Sequence, residues 1–333
     1  MCVMGIGIKE IAAAAGVSIA TVSLALNDKG KINEETRQRV LSIAKQLNYI
    51  PNLNARSLVK KKSGMIGLIV PDITNVYFAD LVYHMNIEVR KYGYGLLIAM
   101  SNNSAESEKE SVREMLQSRV EGLIVAPLHT PVNDYSYLEN APIPKIYATA
   151  HYLNSEIPSV ECKLREGYEK ITNAIACSGR EKPVFLTGNE NVLTLREREE
   201  GFLDSCRERG IHGEIYRCKE FTYEGACKAA AEMLAAGKNR FPFDAVVCAN
   251  DMLAAGVVNT LTRRGIGVPK SVCVIGCDDV IFAETAVVRL TTLRQNIRKI
   301  AECAAEQLLL HIQEGMPMRT VRIETELILR DSF

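Results

Sequence analysis

Two periods of hydrophobicity divide the chain. Over roughly the first sixty residues the apolar positions recur at helical spacing, whereas from Met65 onward short apolar runs alternate with longer amphipathic segments. Ile8 to Ala15 reads as one short helix, Gly16-Val17-Ser18 as a tight turn ending in a capping serine, and Ile19 to Asn27 as a second helix. Ile32 to Asn48 predicts a third: Asn33 suits its cap, Glu34 and Glu35 its positive end, and Val40, Ile43, Ala44 and Leu47 share one face. Together with Val17, Val22 and Leu26 that face closes a small three-helix core. Two short helices joined by such a turn form a helix-turn-helix, whose second helix can enter the major groove of DNA.

Pro51 then breaks the chain. Asn54-Ala55-Arg56-Ser57-Leu58 has room for one or two helical turns before Lys60-Lys61-Lys62-Ser63-Gly64, too few to stand alone in water. It is either an ordinary linker or a helix that something outside it must order.

Beyond it, strand candidates at Ile66–Val70, Leu96–Ala99, Leu123–Ala126 and Lys145–Tyr147 alternate with helix candidates at Tyr77–Lys91 and Ser107–Ser118, the signature of a parallel sheet. The pattern restarts near residue 164. It continues with strands at Val184–Thr187, Ala245–Cys248 and Val272–Gly276 among helices at Gly167–Cys177, Leu195–Glu208, Tyr223–Ala236 and Met252–Arg264. A last helix, Ile297–Gln313, and a strand, Val321–Leu329, have no partner unit and are expected to cross back onto the lobes. The expected fold is an all-α helix-turn-helix head on an α/β body of two doubly wound parallel-sheet lobes. Its divisions fall at 1–50 for the head, 51–63 for hinge and linker, and 64–333 for the body. The first lobe takes about 64–162 and 294–324, the second about 163–293 and 325–333. Ligands in such sheets sit beyond the carboxyl ends of the strands, here facing one cleft.

Charge sharpens the division. The chain is formally neutral, yet residues 1–62 carry ten Lys/Arg against four Asp/Glu, leaving thirty against thirty-six for the rest. A head of +6 on a body of −6 suits a polyanion, although a solvated basic face would look the same. No apolar run approaches the roughly 18 residues of a membrane span and no secretory signal is visible at the start, so the expected location is cytoplasmic with no membrane partner. Most of the ten cysteines sit in apolar or helical runs, as small buried thiols do. Cys273 and Cys277 flank a strand candidate, and no CxxC or histidine cluster accompanies them, so neither a metal nor a cofactor is expected. A GxGxxG turn after a strand, a P-loop and a GxSxG elbow are all missing, and the five histidines are scattered without evident partners. No catalytic residues are expected, and an enzyme is the weakest reading.

The segments GVSIATVSLALN, INEETRQRVLSIAKQLNYIPNLNARSL and IGLIVPDITNVYFADL, followed in order by RVEGLIVAP, REREEGF, ANDMLAAG, VPKSVCVIGCDD and LTTLRQ, span nearly the entire chain. Together they resemble the lactose/galactose repressor family of bacterial transcription regulators. The resemblance implies a homodimer on a pseudo-palindromic double-stranded operator, a periplasmic-binding-protein-like body, and a small effector, carbohydrate-derived, in the cleft. Some members respond to a partner protein instead, and a carbohydrate receptor with no DNA role is a further alternative. Nothing after Val321–Leu329 matches the family's tetramerising helix, so a dimer is expected.

By the same resemblance, base edges are read from Ile19, Ala20 and Leu24, where the family often carries polar residues and an arginine. All three are apolar here. Readout then leans on thymine methyl groups, without a bidentate arginine contact worth about 1–3 kcal/mol per base. Ile19 and Leu24 are alternatively part of the head's own core. Thr21, Ser23 and Asn27 are placed for phosphate and groove contacts. Asn54, Ala55, Arg56 and Leu58 correspond to the minor-groove hinge, Leu58 at the position of its intercalating leucine.

For the effector, the resemblance points to Asp72, Asn75, Tyr77 and Phe78 after the first strand, Thr149 after the fourth, and Arg198, Phe221, Asn250, Asp278 and Gln295 on the second lobe and crossover. Competing readings have Asp251 capping the following helix and Arg198 paired with Glu197 or Glu200. Where sugar-binding members show Asp-Arg, this chain has Thr149-Ala150, and Lys163-Leu164 replaces Asp-Asn. A hydroxyl-gripping carboxylate is thereby missing. Lys163 adds a positive charge that leans toward an anionic or modified ligand, unless it is simply an exposed crossover residue.

Overall fold

The computed structural model describes residues 7–26, 32–47, 49, 63–127, 135–152, 154–188, 192–237 and 240–333. The chain divides into two compact units, Met1–Ser63 and Gly64–Phe333.

The first unit holds α1 (Ile8–Ala15), α2 (Ile19–Leu26) and α3 (Glu34–Gln46). Gly16 ends α1 at φ +63°, a left-handed conformation that glycine takes without a Cβ penalty, and α1 and α2 then diverge by 104°. Ser18 Oγ accepts the Thr21 amide at 3.1 Å, and Asn33 Oδ1 accepts that of Glu35 at 3.0 Å, so both following helices start on a side-chain cap. Ile11, Val22 and Val40 are fully buried where the three helices meet, with Ala12, Ala15, Ala25 and Ala44 filling between them. Val17, Leu26, Ile32, Ile43 and Leu47 pack around that centre. Ile32 joins the core from before α3 rather than from within it.

The second unit contains two six-stranded sheets. The first comprises β1 (Met65–Val70), β2 (Gly95–Met100), β3 (Gly122–Val125), β4 (Lys145–Thr149), β5 (Ser159–Cys162) and β11 (Val321–Ile323), in the order β11-β5-β4-β3-β1-β2 and parallel throughout. The second comprises β6 (Pro183–Thr187), β7 (Glu214–Arg217), β8 (Ala245–Cys248), β9 (Cys273–Asp278), β10 (Thr291–Arg294) and β12 (Glu326–Ile328), in the order β12-β10-β9-β8-β6-β7. Only β12 runs antiparallel. Helices α4 (Val76–Lys91), α5 (Ala105–Gln117) and α6 (Ser136–Glu139) belong to the first lobe. The second has α7 (Leu164–Cys177), α8 (Leu193–Glu208), α9 (Tyr223–Ala236), α10 (Asp251–Arg263) and α11 (Ile281–Thr285). The last helix, α12 (Ile297–Glu314), returns to pack against α4 and β4.

Strands β5, β7 and β10 were not among the sequence expectations. Each is four residues long and carries charged or hydroxyl side chains, so neither an apolar run nor a clean alternation marks it. The single final strand expected at Val321–Leu329 is two, one joining each sheet. Cys273 and Cys277 lie within β9 rather than flanking it. Six of the nine described cysteines are buried, whereas Cys177 is exposed and Cys227 and Cys303 are intermediate.

The chain passes between the sheets at Lys163, between Arg294 and Ile297, and between Ile323 and Glu326. The first and third passages are bonded together: the Lys163 amide donates to Ile323 O at 2.9 Å and Thr325 Oγ1 to Lys163 O at 3.3 Å. A narrow hinge of this kind lets two sheets move as bodies around a shared edge.

The head core is small enough that one truncation should loosen it. Ile11→Ala removes a fully buried side chain at a cost of about 2–5 kcal/mol. Hydrogen exchange of α3 amides is expected to accelerate about thirtyfold or more; unchanged exchange would show that α3 does not depend on this core.

Candidate functional site

In the head, burial separates two kinds of apolar side chain on α2. Val22 and Ala25 face the core, while Ile19 and Leu24 are 50 % and 42 % exposed and Ala20 is also exposed. The alternative that Ile19 and Leu24 complete the head's own core is thereby set aside. Thr21 and Ser23 are half-buried beside them, and the Thr21 hydroxyl lies 2.9 Å from that of Ser18. Asn27, Asn54, Ala55, Arg56 and Leu58 lie outside the described residues.

In the body, every expected effector residue follows or ends a strand at its carboxyl end: 72–78 after β1, Thr149 on β4, Arg198 after β6, Phe221 after β7, Asn250 after β8, Asp278 on β9 and Gln295 after β10. Four of them form a bonded chain. The Tyr77 hydroxyl donates to Gln295 Oε1 at 3.2 Å, and Gln295 Nε2 donates to Asp278 Oδ1 at 2.6 Å. Arg198 Nη2 stands 4.0 Å from the same Asp278 oxygen, and Arg198 Nη1 donates to the Ala249 carbonyl. Arg198 Nε has no partner among the described residues. Burial pushes the Asp278 carboxyl up to about 6 despite the arginine beside it. Thr149 and Asp278 also hold φ angles of +74° and +114°, a region that side chains with a Cβ rarely adopt. Strain of that kind concentrates where a loop must present a group to a ligand.

The remaining expected residues have local duties. Asp72 accepts both the Thr74 amide and hydroxyl, at 2.8 and 2.7 Å, and Asn75 caps α4 through the Tyr77 amide at 3.1 Å. The Tyr77 and Phe78 rings are both buried and meet edge to face at 5.1 Å. The Phe221 ring packs over Gly188, where a Cβ would come within 2.6 Å of it. Asn250, not Asp251, caps α10, accepting the Leu253 amide at 2.9 Å. Asp251 instead receives Thr292 Oγ1 at 2.5 Å and the Val280 amide at 3.0 Å, tying α10 to the ends of β9 and β10.

A cavity of about 240 Å³ opens beside the first crossover, lined by Thr149 together with residues not expected at the effector site, among them His151, Glu161, Thr194, Glu197 and Arg322. Glu161 pairs with Thr149 across β4 and β5, which brings its carboxylate to the same strand ends. It receives His151 Nδ1 at 2.7 Å and Arg322 Nε at 3.3 Å, so His151 does have a partner. Lys163 also lines the cavity, but its ammonium is bound to Glu324 at 2.5 Å, so it does not offer the unpaired charge expected of it. Arg198 pairs with neither Glu197 nor Glu200: Glu200 lies 3.9 Å from Arg196 and 4.0 Å from Arg165. The spacing of these residues in sequence gave no sign of the cavity, because it is assembled from β5, a short polar strand, and from β11, half of a divided one.

A helix-turn-helix joined to a two-lobed unit with a polar cleft defines a class, the bacterial transcription regulators with a periplasmic-binding-protein-like body. Comparison agrees at both ends: residues 7–52 match the bacterial regulatory proteins of the lacI family, and residues 172–333 match a periplasmic binding protein-like domain. The ribose operon repressor of Bacillus subtilis is 33% identical over 318 residues, covering 95% of this chain and 94% of its own. The transcriptional regulator GalR of Escherichia coli is 30% identical over 318 residues, covering 93% and 90%. A Lac repressor dimer crystallised with operator and the anti-inducer ONPF shares the fold, with a TM-score of 0.88 at 23% identity over 98% of both chains. The chain belongs to the lacI family of bacterial regulatory proteins, and it is a DNA-binding transcriptional repressor of that family.

The His151–Glu161 pair has a definite pH signature. Its hydrogen bond to Glu161 raises His151 against the opposing effect of burial. Burial pushes Glu161 up, but His151 and Arg322 outweigh it and hold the carboxyl below its usual range. The histidine's contribution is therefore full below its unfolded pKa and is lost as pH rises through the raised folded value. The glutamate's is lost only as pH falls below the usual carboxylate range. The melting-temperature gap between wild type and His151→Gln is expected to be larger at about pH 6 than at about pH 9; a gap independent of pH would contradict a charged pair.

Proposed function

We propose that the chain represses transcription as a homodimer on a pseudo-palindromic operator, and that a small carbohydrate-derived effector in the cleft of the body controls that binding. The observation that carries the DNA half is the exposed apolar triad Ile19, Ala20 and Leu24 on a helix whose other apolar residues are core. Three apolar side chains on the solvent face of so short a helix, in a basic head, suit thymine methyl groups in a major groove. Phosphate contacts from Thr21 and Ser23 then set the register. The hinge reading of Asn54 to Leu58, with Leu58 as a minor-groove wedge, rests on sequence.

The dimer has physical support in the first lobe. β2 is an edge strand that leaves Ile98 and Met100 exposed, with Tyr83 and Ile87 exposed on the neighbouring α4. An apolar edge of that kind invites a second copy. Effector control is supported by the buried chain from Tyr77 to Arg198, which spans first-lobe, crossover and second-lobe residues. A ligand that prefers one lobe geometry would bias the separation of the two heads, which is coupling in the thermodynamic sense.

Gel shifts with DNA flanking the chain's own gene test the first half. Binding is expected to weaken steeply with salt, as phosphate-dominated complexes do, and Leu24→Arg is expected to change the preferred operator bases. Unchanged preference on Leu24→Arg would remove the base-facing role, and salt-insensitive or absent binding would remove the reading itself.

A further inference from the structure

We infer that the cavity beside the first crossover receives a cationic group of the effector, an ammonium on a hydroxylated scaffold such as an amino sugar, and that Glu197 is the residue that selects it. This rests on the effector-binding reading of the body and narrows it.

The charges around the cavity are unequally matched. Its cationic lining is engaged: Lys163 by Glu324, Arg165 by Asp204, and Arg322 and His151 by Glu161. An anionic ligand would have to share each of those cations with the carboxylate already bound to it. The acidic side is not matched in the same way. Glu166 and Glu200 are exposed to water, but Glu197 is half-buried and makes no hydrogen bond or ion pair with any described residue. Burial and then the charge of Glu161 push its carboxyl above the usual range, and the charges of His151, Arg198 and Arg322 do not offset them. A half-buried carboxylate with no hydrogen-bonding partner among the described residues is stabilised by a cation placed against it.

Two further features fit a hydroxylated amine. Thr194 is 8 % exposed, lines the cavity, and its hydroxyl has no hydrogen-bond partner among the described residues, so a polar atom is left for a ligand to satisfy. Glu161, beside Thr149, uses one oxygen for His151 and the other for Arg322 and retains acceptor lone pairs for hydroxyl groups. The volume of about 240 Å³ suits one sugar ring rather than an oligosaccharide.

Calorimetric titration of the full chain with matched probes tests this: glucosamine, galactosamine and mannosamine, each against its neutral parent sugar and its N-acetyl form, with glucuronate as an anion. At least one amine is expected to bind about tenfold or more tightly than its parent and N-acetyl forms. Glu197→Gln should abolish that preference and melt no lower than wild type, because it removes a half-buried charge repelled by Glu161, and Glu197→Asp should keep part of the preference. Equal binding within every matched trio, tightest binding of glucuronate, binding by none of the amines, or an amine preference that survives Glu197→Gln would each overturn the inference. Operator shifts on the same preparation separate the two levels: intact DNA binding with no amine preference ends this inference and leaves the repressor reading standing.

Discussion

The buried guanidinium of Arg198 is the constraint around which the body's cleft is arranged. A charge that far from water must be met by acceptors, and it is met by the Ala249 carbonyl at the end of β8 and by Asp278 at the end of β9. Asp278 in turn holds Gln295 on the crossover, and Gln295 receives Tyr77 from the first lobe. One charge thus fixes residues from both sheets and from one of the passages between them. Its Nε has no partner among the described residues, and burial raises the Asp278 carboxyl beside it, so the network is not fully satisfied by those residues.

The head solves a different problem with little material. Three helices bury a centre of one isoleucine, two valines and four alanines, so most of the surface lies outside the core. That economy explains why α2 can expose Ile19, Ala20 and Leu24 without losing its place: Val22 and Ala25 anchor it, with Leu26 packed beside them. If, as proposed, these side chains face bases, they favour fit and methyl contact over hydrogen bonding, and the weight of affinity shifts onto phosphate contacts and the basic charge of the head.

Much of this was legible in the chain. Helical periodicity and cap residues located the three head helices because each has a local chemical cause: Gly16 for a left-handed turn, Ser18 and Asn33 for orphan amides. The long parallel strands were legible as apolar runs. Strands β5, β7 and β10 were not, since four-residue segments with Glu161, Arg217 or Thr291 show no period, and their pairing is decided by neighbours distant in sequence. The division of the final strand between two sheets was hidden for the same reason. In the cleft, the residue positions at strand ends followed from the family pattern, but their partners did not. Asn250 takes the cap assigned to Asp251, Lys163 is neutralised by Glu324, and His151 finds Glu161, all through contacts that sequence distance conceals. The pairing of charges around the crossover cavity follows from those contacts alone.

Coupling of an operator-reading head to a ligand-reading cleft in one chain, as proposed, is measurable as a reciprocal change in affinity. With a small molecule that raises the melting temperature of the body, operator affinity is measured with and without that molecule at fixed salt, and the molecule's affinity with and without operator. The account predicts a change of about fivefold or more, by the same factor in both directions. A molecule that occupies the cleft yet leaves operator affinity unchanged would contradict it.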